Sequence, residues 1–367
     1  MNQRNVLSLL PLALLGGMAV AQAPASDDHG AVFVMTNAAV DNQIVSYERS
    51  GDGSLQQSGM FLTGGNGSGG TVDPLKSQGS LVLAGDHRRL FAVNAGSGTV
   101  STFAVHGANL DLLDDSPSGG SMPTAVAHFA DMLYVLNAGG DGNINGFRVG
   151  WDGHLNPIQN SMRALSSSSA SPTSIKFSPD GRFLVVTEMA TNNIDVYLVR
   201  GNGSLSDAVV NRSDDASPFA TVFTERGALV VASAANFVSS YTIQDDGKLK
   251  TITASLPSGG MATCWNVITP SSRFTYTSNA GSGTISAFSV ALKGALKALP
   301  GTIVGTNPAG SANVDAALAD GGKYLYTLDA GTGAVSQFTV NGDGTLDGPQ
   351  VFTGLTGASG LQGIAAY

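Results

Sequence analysis

Cysteine is almost absent from this chain: Cys264 stands alone, so no intrachain disulfide can form. An exported protein of such composition must be held by its own core and topology. The apolar residues around Cys264 favour a buried, inert thiol. Charge is scarce as well, with Asp, Glu, Lys and Arg making up 12% of residues and only 18 of them basic. Those basic residues are scattered singly and the net charge is −9, which excludes the cationic stripe that a nucleic-acid partner requires. Long apolar runs are missing except at the N-terminus. There Arg4, the stretch Val6 to Leu15 and the small residues Ala19-Val20-Ala21 read as a signal peptide cleaved before Gln22. Pro11, Gly16 and Gly17 interrupt that run, which is too short to span a membrane. The expectation is an exported protein, secreted or periplasmic. It divides into a signal over 1–21, a flexible segment over 22–30 and one domain over 31–367.

Several chemistries lack their motifs. No HxH, HExxH or Cys/His cluster occurs among the 5 histidines, so no zinc site is expected. Neither EF-hand spacing nor a GGxGxD repeat is present for calcium. No G-x-S-x-G elbow sits in a strand-turn-helix context. The sequence asks for no cofactor or metal, and leaves a small molecule as the expected ligand of a monomer.

What is abundant is glycine, at 48 residues, together with internal repetition. The clearest copies are LFAVNAGSGTVSTFAV (Leu90 to Val105), FTYTSNAGSGTISAFSV (Phe274 to Val290) and YLYTLDAGTGAVSQFTV (Tyr324 to Val340). Weaker copies begin at Ala31, Met132, Phe183 and Leu229. Val, Phe, Tyr and Thr dominate these runs, which favours strands. Asp52-Gly53, Asp152-Gly153, Asn202-Gly203, Asp246-Gly247 and Asp343-Gly344 supply hairpin turns. Leu55, Leu110, Leu155, Leu205, Leu249, Leu296 and Leu346 mark a period that matches a four-stranded propeller blade. Later copies are each preceded by an extra apolar strand, such as SLVLA (Ser80 to Ala84) or SIKFS (Ser174 to Ser178). The first copy has none, and LQGIAAY (Leu361 to Tyr367) is left over to supply it. The fold expected is an all-β, seven-bladed β-propeller of four-stranded antiparallel blades, in which this last strand joins the first blade and removes the open edge. Thr63 to Gly79 and Ser161 to Ser171 read as long loops on a face of the ring.

The segment SPTSIKFSPDGRFLVV (Ser171 to Val186), the N-A-G-S-G-T segments from Asn94 and Asn279, and MATCWNVITP (Met261 to Pro270) resemble lactonase-type propellers, in a secreted branch. Characterised members include 6-phosphogluconolactonase and 3-carboxy-cis,cis-muconate lactonizing enzyme. The resemblance implies a small acid bound at the mouth of the central channel. It further implies His and Arg after the proline of innermost strands, and a Glu ending a neighbouring second strand. Glu188 in VVTEMA matches the Glu position, whereas Thr173 follows Pro172 and Thr124 follows Pro123 where the cationic residues would stand.

The equivalent ends of the second strands read Asn37, Asn94, Asn137, Glu188, Ser233, Asn279 and Asp329. Asn and Asp satisfy turns well. Glu188 and Asp329 are the catalytic candidates, expected to share a cavity if these ends ring the channel, with a carboxylate acting as general base on water. Oxyanion stabilisation and substrate contact would fall to the innermost strands, which carry Lys176, His128, Trp265, Asn266, Asn313, Asp315 and Gln362. Lys176 is the single lysine or arginine there, and Trp265 is either a stacking platform or core. Arg88, Arg182, Arg273 and Lys323 precede second strands and read as a solvated blade edge. Three readings follow: a metal-independent lactonase-like hydrolase or isomerase, a non-catalytic propeller binding a glycan, small molecule or protein, and a scaffold.

Overall fold

The computed structural model describes residue 1, residues 29–355 and residues 360–367. The signal peptide expected over 1–21 and most of the segment up to residue 30 lie outside the described residues. Among the described residues the strands form seven antiparallel sheets, and the one helix is a short 3-10 turn at Asp320–Gly322. Each sheet is a blade, and the inner strands follow one another round a ring. They are Ile364–Ala366 (blade 1), Leu81–Leu83 (blade 2), Pro123–Phe129 (blade 3), Pro172–Phe177 (blade 4), Pro218–Phe223 (blade 5), Thr263–Ile268 (blade 6) and Asn313–Ala319 (blade 7).

The ring closes as the repeats require. Ile364–Ala366 pairs with Val32–Val34, so the end of the chain supplies the inner strand that the first copy lacks. Second strands are buried on both faces, as in Phe183–Glu188 and Tyr324–Asp329, because every blade is sandwiched between two others. Outer strands alternate, as in Leu55–Leu62, since one edge meets water. The outer strand of blade 3 departs from the repeat: it is split into Leu155–Pro157 and Arg163–Ala164.

The turn chemistry works through side chains. Asp52, Asp152, Asn202, Asp246 and Asp343 each accept a backbone N–H two residues on, at 2.9 to 3.2 Å, and the glycine after each has φ between 83° and 91°. This is the left-handed conformation that glycine adopts at little cost. The cations before second strands are not merely a solvated edge. Arg89, Arg273 and Lys323 each donate to a backbone carbonyl in the next blade's hairpin turn, and Arg182 pairs with Asp245 there. In blade 2 the clasp is Arg89, not Arg88.

The glycine of the N-A-G segment at Asn94 and of its counterpart Asp329-Ala330-Gly331 has a packing reason. Gly96 and Gly331 each donate a backbone N–H to the loop that leads into an inner strand, and a Cβ on either would lie 2.2 Å from a carbonyl oxygen of that loop. Gly96→Ala is therefore expected to cost roughly 1–3 kcal/mol by overpacking. Urea titration would show it as a lower midpoint at unchanged slope.

Candidate functional site

The inner strands do more than line the channel, because five of them are bulged. Register breaks between Pro123 and Ala125, Pro172 and Ser174, Pro218 and Ala220, Thr263 and Trp265, and Val314 and Ala316. Each break leaves one residue unpaired: Thr124, Thr173, Phe219, Cys264 and Asp315. A bulge re-aims its side chain out of the normal alternation, which is why face assignment by alternation is unreliable here.

Across this level runs part of the long loop that precedes blade 2. Ser77 Oγ donates to Thr124 O at 2.7 Å, Gln78 N to Thr173 O at 2.8 Å, and Gln78 Nε2 to Asn266 O at 2.7 Å. Ser77 O accepts from Trp265 Nε1 at 3.1 Å and from Gln362 Nε2 at 3.0 Å. Residues 77–79 thus form a strap tied to the inner strands of blades 1, 3, 4 and 6, and they cover the end of the channel at which inner strands begin. From the sequence this segment is expected as a loop on a face; its course across the axis is set by these contacts.

Below the strap lies a cavity of about 510 Å³ whose lining includes Gln78, Ser174, Lys176, Asn266 and Asp315 and extends to the turn residues Pro179 and Pro270. That volume suits one small ligand. Lys176 from blade 4 is open to the lumen yet walled in by protein, and this desolvation holds its ammonium below the ordinary lysine value, with Asp315 opposing the shift. Among the described residues its amine has no hydrogen-bond or ion-pair partner. Asp315 comes from blade 7, on the far side of the ring. Burial pushes its carboxyl up to about 7, against the lowering effect of backbone N–H groups from Ala316 and Ile364 and of Lys176. Oδ1 accepts from Ala316 N at 2.9 Å and Oδ2 from Ile364 N at 3.3 Å. Asn266 is buried, accepts from Thr275 Oγ1 at 2.5 Å, and keeps an amide nitrogen without a partner.

A further carboxyl, Asp73, stands in the loop just before the strap. Burial pushes it up to about 7, with Gln362 and Lys76 opposing and Asp315 adding to the rise. Cys264 is buried and its thiol is pushed up, chiefly by burial and then by Asp73, in keeping with an inert cysteine. Nothing in the local sequence around Asp73 marked it. Its place near the channel is set by how the loop folds back.

The other sequence candidates lie elsewhere. Glu188 is fully buried at the end of its strand. It accepts from Ser166 N at 2.8 Å, from Ser166 Oγ, and from Thr191 Oγ1 at 2.6 Å, and it faces Asp195, whose carboxyl burial and Glu188 together hold well above the ordinary range. Asp329 is also fully buried. It accepts from Asn307 Nδ2 at 2.7 Å and Ser336 Oγ at 2.5 Å, and burial pushes it up to about 6. These networks repeat what Asn94 and Asn279 do in their blades. Second-strand ends are polar pegs between strands and loops, so Glu188 and Asp329, in blades 4 and 7, do not share a cavity. Trp265 is 1% exposed, packs edge-on against Phe219 at 5.2 Å and anchors the strap, so it offers no face to a ligand. His128 stacks on Phe91 at 5.0 Å at the far end of its inner strand, where burial lowers its pKa. Of the sequence candidates, the structure brings Lys176, Asn266 and Asp315 together around the channel.

Among the described residues, no group of three His, Cys, Asp or Glu side chains is arranged to hold a metal, and no helix is long and apolar enough to cross a membrane. No curated protein matches the sequence. Solved structures do. A candidate 6-phosphogluconolactonase of Bacteroides uniformis superposes with a TM-score of 0.72 at 20% identity, covering 93% of this chain and 100% of that one. The periplasmic gluconolactonase of Pseudomonas aeruginosa gives 0.70 at 17% identity, covering 92% and 99%. A protein from Lactobacillus plantarum gives 0.72 at 16% identity, covering 92% and 98%. At such identities the likeness is one of fold. The model of the family described as "Lactonase, 7-bladed beta-propeller" matches residues 123–234 and 215–360. Those two matches span more than half of the sequence, and the chain belongs to the lactonase family of seven-bladed β-propellers.

Proposed function

We propose that the protein hydrolyses a small lactone in the channel, with Asp315 as general base and Lys176 as the cation that stabilises the oxyanion. The observation that carries this reading is the pair itself. A partner-free ammonium and a carboxyl with a pKa of about 7 line one cavity from opposite sides of the ring, without an ion pair to neutralise them. A base with a pKa near the working pH is suited to moving a proton, and a cation aimed at the place where charge develops stabilises it.

The chemistry balances on these residues alone. Asp315 takes a proton from a water molecule as the water oxygen attacks the lactone carbonyl carbon. The carbonyl oxygen becomes an oxyanion facing Lys176. Collapse of the intermediate breaks the ring C–O bond, and the departing ring oxygen takes the proton from Asp315. The product is a hydroxy acid, which gives its acid proton to solvent water and leaves a carboxylate paired with Lys176. Export follows from the N-terminal residues alone and forms part of the same proposal.

The test is turnover of a panel of neutral and acidic lactones by the protein and its Asp315→Asn variant. Asn keeps one acceptor oxygen for the closer Ala316 amide and gives up the longer contact to the Ile364 amide, so the melting temperature of the variant is measured beside its turnover. Turnover should fall by about a hundredfold or more, and the wild-type rate should rise with pH through about 7 as Asp315 loses its proton. Unchanged turnover in Asp315→Asn, or loss confined to Glu188→Gln, overturns the assignment. No turnover on any lactone leaves a binding propeller instead.

A further inference from the structure

The turn-bearing face of the ring has a feature that the channel chemistry does not use. Trp151 is 92% exposed at the tip of the hairpin between the third and outer strands of blade 3. The turn does not ask for it. The same position, two residues before the turn glycine, is Gly51, Gly201, Asp245, Leu292 and Gly342 in other blades. Exposing an indole so fully leaves a large apolar plate in water. The backbone beneath it is held, because Arg89 Nη2 donates to Trp151 O at 2.9 Å.

Beside this turn a pocket of about 270 Å³ lies in the seam between blades 2 and 3, lined by Asp86, Arg88, Arg89, His128, Asp131 and Gly150 among others. Among the described residues the Arg88 backbone donates and accepts, and its guanidinium has no hydrogen-bond or ion-pair partner. Asp131 pairs with Arg148 at 2.5 Å, and Asp86 accepts from Arg88 N at 3.0 Å, which leaves free lone pairs on both carboxylates. His128 also lines an adjoining cavity of about 250 Å³ together with Lys176, Phe177 and Pro179, and those last three line the channel cavity too. Three hollows that share lining residues thus follow one another from Lys176 to Gly150, the residue before Trp151.

We propose that this seam is a saccharide subsite, which holds the further sugars of an oligosaccharide whose lactone end enters the channel. Arginine and carboxylate side chains together bind vicinal hydroxyls, the first donating to them and the second accepting from them. The apolar face of a pyranose ring stacks on an exposed indole. A phosphate would favour clustered cations without carboxylates, whereas here two acids stand among the two arginines. The direction from channel to seam rests on the channel being the hydrolytic site. The subsite itself does not.

Trp151 can be watched directly. The chain has 2 tryptophans, and Trp265 is 1% exposed, so iodide quenching from solvent reports on Trp151. With cellotetraose, maltotetraose and chitotetraose as probes, at least one should protect the fluorescence saturably. Calorimetry should show its affinity fall by about tenfold or more in Trp151→Ala, as for an aromatic anchor, with partial recovery in Trp151→Phe and a smaller loss in Arg88→Ala. For the aldonolactone of the bound oligosaccharide, Trp151→Ala should raise KM at unchanged kcat, while glucono-δ-lactone kinetics stay as in wild type. Sugar binding without any lactone turnover would retain the subsite and remove the channel chemistry. Turnover whose KM ignores Trp151, or no protection by any of the three sugars, would overturn the subsite alone.

Discussion

A chain ending at Gly360 is expected not to form a stable ring. Removing Leu361 to Tyr367 takes away the inner strand of blade 1, which pairs with Val32–Val34, and three flanking backbone bonds: Met35 N to Gly363 O, Gln362 N to Met35 O and Tyr367 N to Ala31 O. It opens the edge of a strand, Gly30–Met35, that is buried along its whole length. Leu361, Ile364 and Ala365 leave the core, at about 1.5–3 kcal/mol for each large side chain. Arg49, 2% exposed, loses the Tyr367 carbonyl that its Nε donates to at 3.0 Å, and a buried cation that loses a partner is costly. Asp315 loses the Ile364 amide, and Ser77 on the strap loses the Gln362 amide. Together these approach the roughly 5–15 kcal/mol that holds a typical domain. An edge of such apolar character invites strand pairing between chains. The expected result is aggregated or dye-binding protein without a cooperative melt. A soluble monomer melting within a few degrees of the full chain would show that the closure contributes little.

Thermal stability should be highest under mildly acidic conditions and fall as pH rises towards 8. Burial pushes Asp315 and Asp73 up to about 7 and Asp329 up to about 6, and Asp195 beside Glu188 is raised in the same sense. In the folded protein these groups keep a proton that the unfolded chain releases near pH 4. The folded state therefore binds more protons between those values, so stability declines as pH rises from about 4 to about 8 and then levels off. Asp52, Asp180, Asp246 and Asp343 are shifted the other way by hydrogen bonds to nearby side chains and backbone. Their contribution is complete above the ordinary carboxylate value and is lost only below it, which places the maximum near pH 4 to 5. Holding a proton to one pH unit above the free value corresponds to about 1.4 kcal/mol, so the combined loss should reach several kcal/mol and lower Tm by roughly 5 °C or more between pH 5 and pH 8. Asp195→Asn removes one of two adjoining buried carboxyls, the one whose Oδ atoms lack hydrogen-bond partners. That variant should melt higher than wild type at pH 8 and show a shallower decline. Calorimetry across that range checks both points, and a Tm that is flat or climbs with pH would contradict the buried-carboxyl account.

The repeat architecture was legible because it is written in local chemistry. Val, Phe and Tyr alternate with turn pairs such as Asp343-Gly344, and a strand or an Asx turn needs only near neighbours to form. Closure was legible by subtraction, since one copy lacked an inner strand and LQGIAAY remained to supply it. The N-A-G segments were legible as repeat markers, although their meaning, a glycine backed against a carbonyl, required the packed loops.

The site was legible only in part. Lys176, Asn266 and Asp315 were among the candidates, but so were Trp265, Glu188 and Asp329, which the blades absorb. Alternation along a strand assigns faces only while the register is unbroken, and the bulge at Asp315 breaks it. Contacts such as Trp265 with Ser77, 188 residues apart, leave no trace in the neighbourhood of either residue. The sequence by itself determined seven strand-turn repeats, their closure and the family, because each rests on short-range propensity repeated at a fixed period. The tertiary structure alone decided that a loop straps one end of the channel, that an ammonium and a carboxyl line the cavity beneath it, and that the matched glutamate is a peg inside a blade. Those outcomes depend on bulged register and on hydrogen bonds between blades, which no local pattern encodes.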